Sequence, residues 1–159
     1  MILRMARRIF VSFAYEDAGQ ARGFNLLPWN RNVDFDFVER HLINPADSEN
    51  PDYIKSRIRS EMNGTSATVV LIGPTTATSE WVDFEIRESI ARGNAVIGIR
   101  LKGAENAPVP PALIQAGAKI LDWNPHTFSD EIERAILVAG RPPLGPPTAS
   151  VSNRTPCGR

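Results

Sequence analysis

Apolar runs of strand length alternate along the chain with stretches patterned for helices. Residues 8–13, 66–73, 95–101 and 118–123 are short, mostly apolar runs, and each predicts a strand. Residues 33–38, Val33-Asp34-Phe35-Asp36-Phe37-Val38, alternate strictly. That pattern predicts a strand with one buried face, suited to a sheet edge. Between the first two strands, Asp17 can cap a helix running to Leu27, weakened by Gly19 and Gly23. Asn50-Pro51 opens a second helix with a buried stripe of Ile54, Ile58 and Met62, stopped by Gly64. Ser79 caps a third, with Glu80 and Asp83 complementing its dipole, Val82, Ile86 and Ile90 facing the core, and Gly93 ending it. A loop with Pro108, Pro110 and Pro111 follows the next strand. The last helix covers residues 127–139, with Phe128, Ile132, Ile136 and Ala139 inward and Gly140 as its stop.

Strand and helix alternate about five times. This predicts an α/β fold: a five-stranded parallel sheet in a three-layer, flavodoxin-like arrangement with strand order 2-1-3-4-5. One domain over residues 1–140 accounts for the pattern. Residues 141–159 carry Pro142, Pro143, Pro146, Pro147 and Pro156 and almost no large apolar side chains, which predicts a disordered tail. The 159 residues have formal net charge +0, so bulk charge makes no case for nucleic acid or an anionic membrane. No apolar run approaches the ~20 residues of a membrane span. The opening eight residues lack the apolar region and cleavage site of a signal peptide, and read as a lead-in to the first strand. The single cysteine, Cys157, excludes an internal disulfide, in keeping with a cytoplasmic protein. His41 and His126 alone do not make a metal site, and none is expected.

Familiar nucleotide chemistry is absent. Ala14-Tyr15-Glu16-Asp17 follows the first strand where a dinucleotide-binding Gly-x-Gly-x-x-Gly would stand, and the chain has no phosphate loop or Gly-x-Ser-x-Gly elbow. A phospho-receiver needs an Asp at the end of the central strand, where this chain has Leu71-Ile72-Gly73-Pro74. What stands out is Ser79-Glu80-Trp81-Val82-Asp83-Phe84-Glu85. Trp81 and Glu85, four apart, share one helix face near the strand ends where open α/β sheets bind ligands. On spacing alone, the commoner outcome is a half-buried Trp beside a solvated Glu. Glu85, next to Ile86, falls at the boundary of the buried stripe.

Two motifs resemble TIR domains. Ile9-Phe10-Val11-Ser12-Phe13 is similar to their first strand. Ser79-x-Trp81-Val82-x-x-Glu85-Ile86 is similar to their Ser-x-Trp-Cys-x-x-Glu-Leu segment, with Val82 in place of Cys. Phe13-Ala14-Tyr15-Glu16-Asp17 and Leu71-Ile72-Gly73 further resemble the TIR-like proteins of the bacterial Thoeris anti-phage defence. The likeness covers about residues 8–139. The loop with His41, Asn44, Pro45 and Asp47 departs from that of receptor TIR domains. The resemblance implies an enzyme that cleaves NAD at the nicotinamide–ribose bond, with Glu85 catalytic and NAD as substrate rather than cofactor. It implies a cyclic ADP-ribose-type messenger acting on a separate effector protein, and self-association through TIR surfaces. Phe13, Tyr15, Arg22 and Trp81 would then bind substrate: Phe13 and Tyr15 stacking on nicotinamide or adenine, Arg22 reaching a phosphate, Trp81 orienting Glu85 or closing the pocket. The rival implication is a non-catalytic TIR adaptor, in which Glu85 is incidental.

Overall fold

The computed structural model describes residues 6–27, 34–39 and 50–140. The expected tail, the loop around His41 and the first residues lie outside these. Five parallel strands form one sheet: β1 (Ala6–Phe13), β2 (Asp34–Glu39), β3 (Ala67–Ile72), β4 (Ala95–Arg100) and β5 (Lys119–Leu121). Their order is β2-β1-β3-β4-β5, as the alternation of elements predicts. The helices are α1 (Ala18–Asn25), α2 (Pro51–Met62), α3 (Glu80–Ala91), α4 (Pro111–Gln115) and α5 (Pro125–Ala139).

Strand alternation divides the core into two layers. On one face Ile9, Val11, Phe13, Val69, Leu71, Ile97 and Ile99 pack against Ala21 and Phe24 of α1 and Phe128, Ile132 and Ile136 of α5. On the other, Val70 and Ile72 meet Val82 and Ile86 of α3 and Leu113 of α4, and Phe10 meets Ile54, Ile58 and Met62 of α2. β4 accommodates α4 through Gly98: a Cβ there would approach Ile120, Ile72 and Leu113 side-chain atoms at 2.8, 2.9 and 3.1 Å. The glycine therefore sets the depth at which Leu113 seats.

Two helix starts follow the sequence closely. Asp52 N–H donates to the Asn50 side chain at 3.0 Å, and Val82 N–H to Ser79 Oγ at 3.2 Å. Gly64 and Gly93 follow α2 and α3 with φ of 78° and 77°, the left-handed turn that glycine takes without strain.

Several expectations need correction. Asp17 does not cap α1 with its side chain; its carboxyl is turned inward instead. The Pro-rich stretch after β4 contains α4, a helix of five residues, too short to show a 3.6-residue period. α5 starts two residues earlier than the pattern suggests, with Pro125 in its first turn. Ala139 is exposed, because the last turn of α5 runs past the sheet. Ile90 is likewise 42% exposed. It borders a groove of about 500 Å³, shared with Val96, Ala118, Arg134 and Val138, at the N-terminal edge of β4 and β5. That groove lies at the opposite end of the strands from the TIR-like motif.

Candidate active site around Glu85

From β1 the chain crosses by α1 to β2 on one side, then by α2 to β3 on the other. The C-terminal ends of β1 and β3 therefore form the topological switch point, where sheets of this order place ligands. Two loops meet there. Thr75 Oγ1 donates to Glu16 Oε1 at 3.2 Å, and the Thr76 side chain hydrogen-bonds the Asp17 carboxylate. Thr76 is itself fixed by Gly73 N–H, which donates to its Oγ1 at 2.8 Å. The Asp17 carboxyl lies so close over Gly73 that a Cβ at that position would come within 2.2 Å of Oδ2. Glycine, with no side chain at all, lets the loops close.

Burial raises the Asp17 carboxyl above its ordinary value, and the neighbouring Glu16 charge adds to this, while the Thr76 hydrogen bond opposes it. A raised carboxyl means that the folded chain holds its proton more tightly than the unfolded chain does. Stability then falls as pH rises from below the unfolded value through the folded one, and the full penalty is present once the pH is above the folded value. Asp17→Asn, which keeps the shape without the charge, is expected to raise Tm near pH 7. The gain should fade toward about pH 3, where Asp17 is protonated in both states. Thermal melts across that range check it; a gain that persists at low pH would show another cause.

Just inside this edge sits Glu85. Val82, Glu85, Ile86 and Ser89 form the buried face of α3. The two polar members each meet a polar strand residue. Ser12 Oγ donates to Glu85 Oε1 at 2.6 Å, and Thr68 and Ser89 share a short hydroxyl–hydroxyl bond. Ser12, Thr68, Glu85 and Ser89 are all 0% exposed. Glu85 is thus an inner residue, not the boundary residue that its place beside Ile86 suggests. A carboxylate and a hydroxyl buried together at 2.6 Å form a strong, short hydrogen bond of the kind that fixes a side chain in one orientation.

The structure distributes the other predicted site residues unevenly. Trp81, one turn before Glu85, is half-buried and packs edge-on to Phe84, with centroids 6.3 Å apart, against the α2 cluster. Lys55 and Arg59 of α2 lie over the Phe84 ring at 5.5 and 5.3 Å, fastening α2 to α3. Tyr15 is 53% exposed at the sheet edge. Phe13 is not a cleft residue on this side: it belongs to the core of the opposite face, with α1 and α5. Its neighbour Ser12 points toward α3, and strand alternation sends Phe13 the other way. Arg22 is exposed on α1, also in the opposite layer. The structure therefore brings Ser12, Trp81 and Glu85 to one side of the sheet and leaves Phe13 and Arg22 on the other. Sequence reasoning passed over Ser12. Its signal is the one polar residue within the run 9–13, in phase with Phe10 and out of phase with Phe13.

Among the described residues no group of three or more His, Cys, Asp or Glu is placed to hold a metal. No described helix is long and apolar enough to cross a membrane.

Comparison with known proteins agrees with this architecture. The TIR domain of the Toll-related receptor TRR-2 from Hydra magnipapillata superposes with a TM-score of 0.53 at 17% identity, covering 81% of this chain and 97% of that one. At that identity the likeness concerns the fold. A Bacillus cereus (strain MSX-D12) protein named "Putative cyclic ADP-D-ribose synthase ThsB1" is 34% identical over 102 residues, 61% of this chain and 53% of that protein. The chain thus matches about half the length of that curated relative. The family model for the TIR-like domain of the Thoeris protein ThsB matches residues 10–106, which include Ser12 in the second half of β1 and all of α3 with Glu85. With its parallel sheet, its helix layers and this match over more than half its length, the chain belongs to the Thoeris ThsB family of TIR-like domain proteins.

Proposed function

We propose that this chain cleaves NAD at the nicotinamide–ribose bond and joins the resulting ADP-ribose to itself, forming a cyclic messenger in anti-phage defence. The observation that carries the reading is Glu85: a single carboxylate on the family's α3 motif, oriented by Ser12 just inside the switch point of the sheet. Nicotinamide in NAD is a cationic leaving group and departs with the electron pair of the C–N bond. A general acid is therefore unnecessary. One carboxylate suffices to hold the ribose hydroxyls and stabilise the oxocarbenium-like charge, the electrostatic part of glycoside cleavage. A nucleophilic atom of the same molecule's adenine or of its ribose then closes the ring, a ribose hydroxyl giving up its proton as the bond forms; water in its place would give linear ADP-ribose and a proton. The printed name of the Bacillus cereus relative supports the cyclic outcome.

Glu85 is enclosed in this form, so substrate contact requires the site to open. We accordingly expect the resting protein to be slow and the triggered protein fast. The same burial favours a second reading, in which Ser12 and Glu85 are an internal polar pair of a TIR module that works by assembling with other TIR surfaces. Mass spectrometry of infected cells that carry this protein but lack the effector separates the outcomes. The expected result is a cyclic or otherwise conjugated ADP-ribose with cellular NAD little depleted. Linear ADP-ribose with collapsing NAD would mark a hydrolase, and no ADP-ribose product at all would favour the assembling module.

A further inference from the structure

We infer that Ser12 is the positioning residue for Glu85: its hydroxyl orients the carboxylate toward the ribose and is required for the chemical step rather than for substrate capture. This inference rests on the proposed NAD cleavage.

The geometry is specific. Ser12 is the penultimate residue of β1, level with Val70 of β3, and faces the same layer as Val82 and Ile86 of α3. Its hydroxyl donates to Oε1 of Glu85 at 2.6 Å, across 73 residues of sequence, with both side chains out of solvent. A glutamate side chain has three rotatable bonds, and once the site opens a carboxylate swung away from the strand end would miss whatever enters from the sheet edge. A short bond from a strand to the carboxylate removes that freedom. The strand is a rigid support, since β1 is paired on both sides, with β2 and β3. A carboxylate held in advance stabilises developing positive charge without reorganising at the moment of reaction. Ser12 itself need not touch the substrate.

An ordinary structural serine would predict something different, and the test is built on that contrast. Nicotinamide release from NAD is followed with purified protein supplied with infected-cell lysate as trigger, for wild type, Ser12→Ala, Ser12→Thr, Glu85→Gln and the Ser12→Ala/Glu85→Gln double variant. Melting temperatures are recorded for each. If Ser12 positions Glu85, Ser12→Ala lowers kcat by about tenfold to a hundredfold with KM within about twofold. Ser12→Thr, which keeps the hydroxyl, recovers a large part of the rate. Adding Ser12→Ala to Glu85→Gln costs no further activity, because the two residues act as a unit. A full kcat in folded Ser12→Ala overturns the inference, as does a loss that multiplies with that of Glu85→Gln. If Ser12→Thr proves too large for the site and melts early, the comparison of Ser12→Ala with the double variant decides alone. Failure of the underlying reading looks different: triggered wild type would release no nicotinamide above Glu85→Gln, and the inference would fall with it. Active wild type with an equally active Ser12→Ala would remove the inference and leave the reading intact.

Discussion

Replacing Phe24 by alanine is expected to destabilise the fold by about 3–5 kcal/mol. Phe24 is 0% exposed and stands where three elements converge. Its ring meets Phe37 of β2 at 5.5 Å, Phe128 of α5 at 5.8 Å and Trp123 at 6.3 Å. The edge strand β2, the short helix α1 and the last helix α5 thus share one aromatic contact. α1 has only eight residues and includes Gly19 and Gly23, so it cannot stand on helix propensity and depends on this packing. Truncation would remove the ring and leave a cavity bounded by side chains from separate elements, which cannot all collapse inward. A domain of this size has roughly 5–15 kcal/mol in hand, so the loss would be a large share of it. Urea denaturation of wild type and variant measures it directly. A loss below about 1 kcal/mol would mean that the aromatic cluster is not a support of the fold. Because Phe24 lies in the layer opposite Glu85, the activity of molecules that remain folded should be spared.

The elements that the sequence predicts well are those whose signal is local. The runs of β1, β3 and β4 are mostly apolar, rather than alternating, because helices cover both faces. The caps Asn50 and Ser79 act within three residues of themselves. The strand order is the simplest flavodoxin-like arrangement for five alternating strands, and it is the one observed. What local pattern does not reveal depends on neighbours far away in the chain. Asp17 has the look of a helix cap, yet Gly73 and Thr76, more than fifty residues on, draw its carboxyl inward. α4 is held by the slot over Gly98 rather than by any period of its own. The apolar stripe of α3 suggests an inner row of Val82, Ile86 and Ile90. The true inner row is Val82, Glu85, Ile86 and Ser89, because Ile90 passes beyond the sheet edge and the strands offer Ser12 and Thr68 to the two polar residues. Glu85 was legible as a candidate from its motif, but its enclosure was not. Phe13 shows the opposite case: strand alternation puts it out of phase with Ser12, and it packs in the layer with α1 and α5.

Glu85→Gln is expected to lower triggered nicotinamide release by at least about a hundredfold while leaving the fold intact. The amide keeps the shape of the carboxylate and can still accept from Ser12 Oγ, so the buried contact survives. What disappears is the negative charge, the one feature that stabilises a ribosyl cation. Stability should change by less than about 1 kcal/mol. Glu85→Ala is a poorer probe, since it would strand the Ser12 hydroxyl beside a void and mix folding with chemistry. The decisive measurement is the time course of free nicotinamide from NAD, with infected-cell lysate as trigger, for wild type and Glu85→Gln at equal concentrations of folded protein. Steady release by wild type and background release by the variant, at matching melting temperatures, is the predicted result. Equal release by the two proteins would contradict the assignment of NAD cleavage to Glu85.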